Sequence, residues 1–209
     1  MGKKISVLFI LVTGLSFGQK KEKEIEESNF QRTLLKASAT IAPTRFLNIN
    51  SSAAMLNGYL EYVLDERISV RGDVFYFLPN ATYLNLNPLN VPESYSALYA
   101  GFGYHIGKKN WKHSLHFEPG VSYTKIAKDN LNMEYRWTVN PSFLVKVGTC
   151  LYVSRFFHFF AELNYCDSYV RTTPVNSISM KQIGISAGLG FNLVTKRKSE
   201  SVIFDQINE

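Results

Sequence analysis

The chain has 209 residues, of which 45% are hydrophobic and 14% aromatic, with a formal net charge of +6. That length suits one all-β domain of ordinary size, and the weight of Tyr and Phe among the aromatics suits strands and interfaces. The mild positive excess forms no basic stripe interleaved with stacking aromatics, which argues against nucleic acid as a partner, and no apolar run reaches the ~20 residues of a spanning helix.

At the amino terminus Lys3 and Lys4 precede an apolar run from Ile5 to Phe17, about 13 residues long, and Ser16 and Gly18 are small residues at the positions a signal peptidase reads. This is a signal-peptide pattern, with residues 1–18 removed before Gln19; a signal-anchor helix is the alternative. No Cys lies near the cleavage site, so a lipid anchor is not expected. Loss of Lys3 and Lys4 leaves +4 of the original +6. Residues 19–32, QKKEKEIEESNFQR, are charged and nearly free of apolar side chains, and read as a flexible lead-in, periplasmic if the strands that follow form an outer-membrane barrel.

From Thr33 onward about eight segments alternate with period two, each near the length of a tilted membrane strand. The first is 33–41, with Leu35, Ala37, Ala39 and Ile41 on one face, followed by a loop over 43–52. Residues 56–78, LNGYLEYVLDERISVRGDVFYFL, give strands two and three. Both apolar faces of that hairpin must lie on one side, so its loop holds an odd number of residues, and three fits: Leu64 then faces Ile68, Tyr62 faces Val70 and Glu61 faces Arg71. A long loop over 79–93 leads to strand four at 94–106, and a short turn at Lys108–Trp111 to strand five at 114–125. A loop at 127–135 precedes strand six, 136–152. A tight turn at Ser154 and Arg155 gives strand seven, 157–169. The loop 171–179 leads to strand eight, 182–193, in which Ile183, Ile185, Ala187, Leu189, Phe191 and Leu193 alternate with Gly184, Ser186, Gly188, Gly190 and Asn192. Pro119 and Pro141 cannot donate to a ladder, and local bulges are expected there. Long connections follow the odd strands and short ones the even strands, which places both tails at the short-turn end.

Alternation alone leaves two architectures open: a soluble barrel with its apolar face inward, or a membrane barrel with that face toward lipid. Three features favour lipid. The polar face is rich in Gly and Ser, as a narrow lumen requires. Large aromatics gather near strand ends, with Tyr62, Tyr104, Phe157 and Phe191 at one level and Tyr76, Tyr123, Trp137 and Tyr165 at the other, as two interfacial girdles would. Charges avoid the middle of the apolar face. With its signal peptide, strand alternation, loop asymmetry and final strand GISAGLGFNL, the chain resembles the small eight-stranded outer-membrane β-barrel family (outer membrane protein beta-barrel domain) over residues 33–193. The resemblance implies an all-β, antiparallel up-and-down transmembrane β-barrel in the outer membrane of a Gram-negative-type bacterium, in contact with outer-membrane lipids and with the assembly machinery. Many such barrels end on an aromatic residue; here Phe191 is followed by 194–209, VTKRKSESVIFDQINE, expected as a periplasmic tail.

The expected lumen face carries Lys36, Glu61, Arg71, Asp73, Glu118, Lys146 and Glu162, nearly balanced in charge. Structural ion pairs that fill a narrow barrel are the leading expectation, and a proton or ion path the alternative. A three-residue loop between strands six and seven places Lys146 opposite Glu162. His105, His116 and His158 share the lumen face with Glu118 and Cys150 and are weak candidates for metal ligands, since no tight ligand spacing appears. No cofactor is expected. The same register places Cys150 opposite His158 and Cys166 eight positions along the ladder, too far for a disulfide. No His lies toward the long-loop end, where an enzyme acting on outer-leaflet lipid would need one, so catalytic residues are not expected. The leading expectation is a non-enzymatic barrel with a side-chain-filled lumen and a structural, adhesive or assembly role through its long external loops, chiefly 79–93, toward an extracellular ligand or periplasmic partner that the residues do not specify. A narrow channel or transporter of small hydrophobic compounds is the alternative. A lipid-modifying enzyme, a secretion-apparatus component contacting through Lys196, Arg197 and Lys198, and a soluble ligand-binding barrel rank lower.

Overall fold

Each alternating segment has one face of large apolar side chains and one of polar or small ones, and antiparallel neighbours bring like faces to the same side. In the computed structural model, which describes residues 33–49, 51–78, 84–85, 92–126, 137–171 and 177–195, eight such strands close into a barrel. They are β1 (Leu34–Phe46), β2 (Ser51–Val63), β3 (Ile68–Phe77), β4 (Pro92–Ile106), β5 (Trp111–Ile126), β6 (Trp137–Tyr152), β7 (Phe157–Asp167) and β8 (Gln182–Val194). Each pairs antiparallel with its sequence neighbours, and β1 pairs with both β2 and β8 to close the ring. The expected signal peptide, the 19–32 lead-in and most of the carboxy-terminal tail lie outside the described residues. Val194, expected in that tail, is the last residue of β8, and Thr195 N–H donates to Thr33 O at 3.0 Å, so both ends of the barrel chain meet at the short-turn rim.

The side chains sort as a membrane barrel requires. Leu60, Val74, Leu98, Phe102, Phe117, Val147, Ile185 and Leu189 point outward and are 44–67% exposed, whereas Glu61, Arg71, Asp73, Glu118 and Lys146 are at most 1% exposed. Apolar area on this scale, running around the whole wall, is foreign to a soluble surface and is what hydrocarbon accepts. The girdle aromatics contact one another across strands: Tyr123 stacks on Trp137 with ring centroids 6.5 Å apart, and Phe157 and Phe191 lie 5.5 Å apart.

The central hairpin has the register its parity demands, with Glu61 opposite Arg71 and Tyr62 opposite Val70. The β6–β7 hairpin differs from expectation by two residues. Lys146 lies opposite Asn164, Glu162 opposite Gly148 and Cys150 opposite Phe160. The cause is the turn: Ser154 Oγ accepts the Phe156 and Phe157 N–H groups at 3.2 and 3.1 Å, which centres the loop on Arg155. A slip of two preserves the face of every side chain, so Lys146 and Glu162 stay in the lumen. Cys166 falls opposite Leu144, six rather than eight positions from Cys150 and so about 20 Å away at ~3.3 Å per residue. Both cysteines are buried and free.

Three further expectations change. The first connection is not long: β1 continues through Pro43 to Phe46, and only residues 47–50 separate it from β2. The loop after β7 contains a small hairpin, Tyr169–Arg171 against Ser177–Ser179, which seats Val170 and Met180 in the outer mouth of the lumen. Neither Pro119 nor Pro141 makes a bulge, since the β5–β6 register runs unshifted from Trp111↔Leu151 to Lys125↔Trp137. Pro119 lies where the β4–β5 ladder skips between Tyr99↔Gly120 and Phe102↔Phe117, so the missing N–H removes a rung without adding a residue. Between β1 and β8 the ladder is likewise open over 38–43, the stretch that contains Pro43, and Thr40 Oγ1 bridges it by donating to Ala187 O at 2.8 Å.

Candidate functional site

An eight-stranded barrel has an interior just wide enough for side chains to fill, and this one is filled in layers. Toward the outer mouth an apolar layer holds Phe46, Met55, Phe75, Tyr95, Tyr99, Leu144 and Met180, all buried. Toward the short-turn end a second apolar layer is formed by Leu34, Val63, Cys150 and Tyr152. Between them lie three buried cations, Lys36, Arg71 and Lys146, and four buried carboxylates, Glu61, Asp73, Glu118 and Glu162.

Arg71 is the centre of that middle layer. Its Nη1 and Nη2 donate to the two oxygens of Glu162 at 2.5 and 2.8 Å, its Nε donates to Asp73 Oδ2 at 2.6 Å, and its guanidinium lies 3.8 Å from the centroid of the Tyr59 ring. This forked geometry is one that lysine cannot supply. Lys146 Nζ donates to Asp73 Oδ1 at 2.5 Å and to Glu162 Oε2 at 3.3 Å, so the two-residue slip turns the expected direct pair into a diagonal one. Asn57 and Ser186 complete the cage: Asn57 Nδ2 donates to Asp73 Oδ1 at 3.0 Å, and Ser186 Oγ to Asn57 Oδ1 at 3.2 Å. Glu61, directly opposite Arg71 on the ladder, is nonetheless 3.7 Å from its Nη1 and is engaged more closely by Lys36 Nζ, 2.7 Å from Oε2. Glu118 is the least engaged of these carboxylates, with Arg71 Nε at 3.8 Å and, among the described residues, no hydrogen bond to either oxygen.

The three lumen histidines separate into two places. His158 Nδ1 donates to Asn192 Oδ1 at 2.6 Å, which leaves Nε2 to accept from Tyr59 Oη at 2.6 Å; both nitrogens are committed. His105 and His116 instead lie together, ring centroids 5.5 Å apart, and the third member of their cluster is Glu61 rather than His158. Pairing registers carry His105 and His116 onto adjacent strands, but only barrel curvature brings Glu61 of β2 to them across β3. Tyr95 and Tyr152, also buried in the lumen, were not singled out from the sequence; both sit at lumen parity in their strands, and that signal was available.

A Ser–His–Glu set is also present: Ser69 Oγ lies 2.9 Å and Glu61 Oε1 2.8 Å from His105. Both contact the same ring nitrogen, Nε2. A hydrolytic triad needs serine and carboxylate on opposite nitrogens, so this set cannot relay a proton from the serine.

No family model matches the sequence, and no curated protein matches it. Among solved structures, Neisserial surface protein A is similar with a TM-score of 0.55 at 13% identity, covering 77% of this chain and 96% of that one. The outer membrane protein OprG from Pseudomonas aeruginosa is similar with a TM-score of 0.55 at 11% identity, over 81% and 99% of the two chains. Ail, the attachment invasion locus protein of Yersinia pestis, has a TM-score of 0.50 at 14% identity, over 78% and 100%. With its ring of eight strands, its apolar exterior and its packed polar interior, the chain has the fold of the small eight-stranded outer-membrane β-barrels.

Proposed function

We propose that this protein is a non-enzymatic, integral outer-membrane barrel that serves as a closed scaffold for its external connections, in a structural, adhesive or assembly role. The observation that carries this reading is the layered lumen. Any solute path along the axis would have to displace Tyr95, Tyr99 and Leu144, then break the Arg71–Glu162 and Lys146–Asp73 contacts, then pass Tyr152. The structural likeness to Ail, a protein named for attachment and invasion, supports a barrel whose function lies in what it presents outside. Outer-membrane lipids would surround the apolar wall, and the outer-membrane assembly machinery would insert it. Planar-bilayer recording of purified, refolded protein tests the closed lumen: no steady open level is expected at neutral pH and moderate salt. A reproducible conductance of porin size, abolished by heat denaturation, would overturn it.

A second reading, passage of small hydrophobic compounds, is favoured by one feature. Beside the open stretch of the β1–β8 ladder a cavity of about 300 Å³, lined by Pro43, Thr44, Ala53, Leu163, Ile183 and Ile185, indents the lipid-facing wall. Protein-dependent uptake of a small apolar solute into vesicles, without ionic conductance, would favour this reading over the scaffold.

A further inference from the structure

We infer that Glu61, His105 and His116 form a binding site for a divalent transition-metal ion of the zinc class, reached from the short-turn mouth of the barrel. One ligand atom from each of the three lies within 4.8 Å of the others, and all three side chains are buried. Two imidazoles and a carboxylate are a ligand set that zinc accepts, with a fourth position left for water.

His116 carries the argument. It is 1% exposed, yet neither ring nitrogen has a hydrogen-bond partner among the described residues. Buried polar groups are nearly always satisfied, so a histidine with two orphaned nitrogens facing a second histidine and a carboxylate calls for a missing partner. The ring occupies space that only glycine leaves open: a Cβ at Gly103, directly opposite on β4, would collide with its Cε1 and Nδ1. The contrast with His158, whose two nitrogens are both bonded, shows that the lumen can satisfy a histidine where it needs one.

Glu61 is oriented for the same role. Lys36 and Arg71 both approach Oε2, at 2.7 and 3.7 Å, while Oε1 faces His105 Nε2 at 2.8 Å. Oε1 is therefore the ligand atom, and Lys36 fixes the carboxylate from behind, as groups around bound metals do. Tetrahedral bonds of about 2.0–2.1 Å set ligand atoms roughly 3.3 Å apart, so Glu61 and His105 must part by about half an ångström while His116 closes in. The buried network holds four carboxylates and three cations, so one negative charge is left to offset half of the ion's charge. On the short-turn side a cavity of about 430 Å³, lined by His105, Tyr104, Glu66, Arg67, Lys108 and Lys112, reaches the first of the three ligands. Its cationic side chains should slow loading, and salt should speed it by screening them.

The test is titration of untagged, folded full-length protein with Zn²⁺, and with Co²⁺ as a coloured substitute. Wild type is expected to bind one equivalent and to show visible cobalt bands of a nitrogen- and oxygen-ligated site. His116→Ala should weaken binding at least tenfold and abolish the bands. It removes no hydrogen bond, so heat-modifiable migration on gels should still report a folded barrel. His105→Gln should lose binding in the same way, and His113→Ala, on the outer face, should bind as wild type does. Absence of saturable binding to folded wild type, or equal binding by His116→Ala, would overturn the assignment.

Discussion

Replacing Arg71 with Leu removes the group on which the lumen converges. The guanidinium makes two bonds to Glu162 and two to Asp73, the shortest at 2.5 and 2.6 Å, and covers the face of Tyr59. Each hydrogen bond to a charged group is worth about 1.5–3 kcal/mol, but the four share partners and do not add. Lys146 still holds Asp73 at 2.5 Å and Glu162 at 3.3 Å, so neither carboxylate is orphaned. Glu61 likewise keeps Lys36. What remains is a layer with four carboxylates and two cations, sealed between apolar layers. Breaking a buried pair by deleting one partner costs about 3–5 kcal/mol, and the surviving lysine places this case near the lower figure, about 3 kcal/mol or some hundredfold in the folding constant. Urea titration in lipid vesicles, read by the fluorescence of Trp111 and Trp137 on the outer wall, measures it. An Arg71→Leu barrel within ~1 kcal/mol of wild type would refute the claim that this network holds the lumen together.

The opposite outcome is expected at Glu118. Among the described residues its ion pair is with Arg71 Nε at 3.8 Å and its oxygens accept no hydrogen bond, so Glu118→Gln should be neutral or stabilise by up to ~2 kcal/mol in the same titration. Two glycines should also part company. A Cβ at Gly101 would overlap the Phe117 carbonyl and the Glu118 backbone of the next strand, whereas one at Gly58 meets Val74 Cγ1 at 3.4 Å and Ser38 O at 3.7 Å, both ordinary contact distances. Gly101→Ala should therefore cost about 1–3 kcal/mol, and Gly58→Ala should stay within ~0.5 kcal/mol, both read as shifts in the urea midpoint.

Period-two alternation was enough to read eight strands, the lipid-facing and lumen-facing sets, and the Glu61–Arg71 pairing, because face is a matter of parity and survives errors of two residues. That is why Lys146 and Glu162 both face the lumen although their pairing differs from expectation: the Ser154 turn shifts β7 by two, a choice made by hydroxyl contacts within residues 153–156. The length of β1 was hidden for a related reason, since Pro43 reads as a loop residue until an open stretch of the β1–β8 ladder absorbs its missing donor. Which lumen side chains meet one another lay beyond the sequence. Arg71 and Glu162 are 91 residues apart, and Glu61 meets His105 across an intervening strand. Such contacts follow from the curvature and stagger of the closed wall, which no local pattern records. Only the closed barrel decided that His158 is fully bonded while His116 is left facing His105 and Glu61.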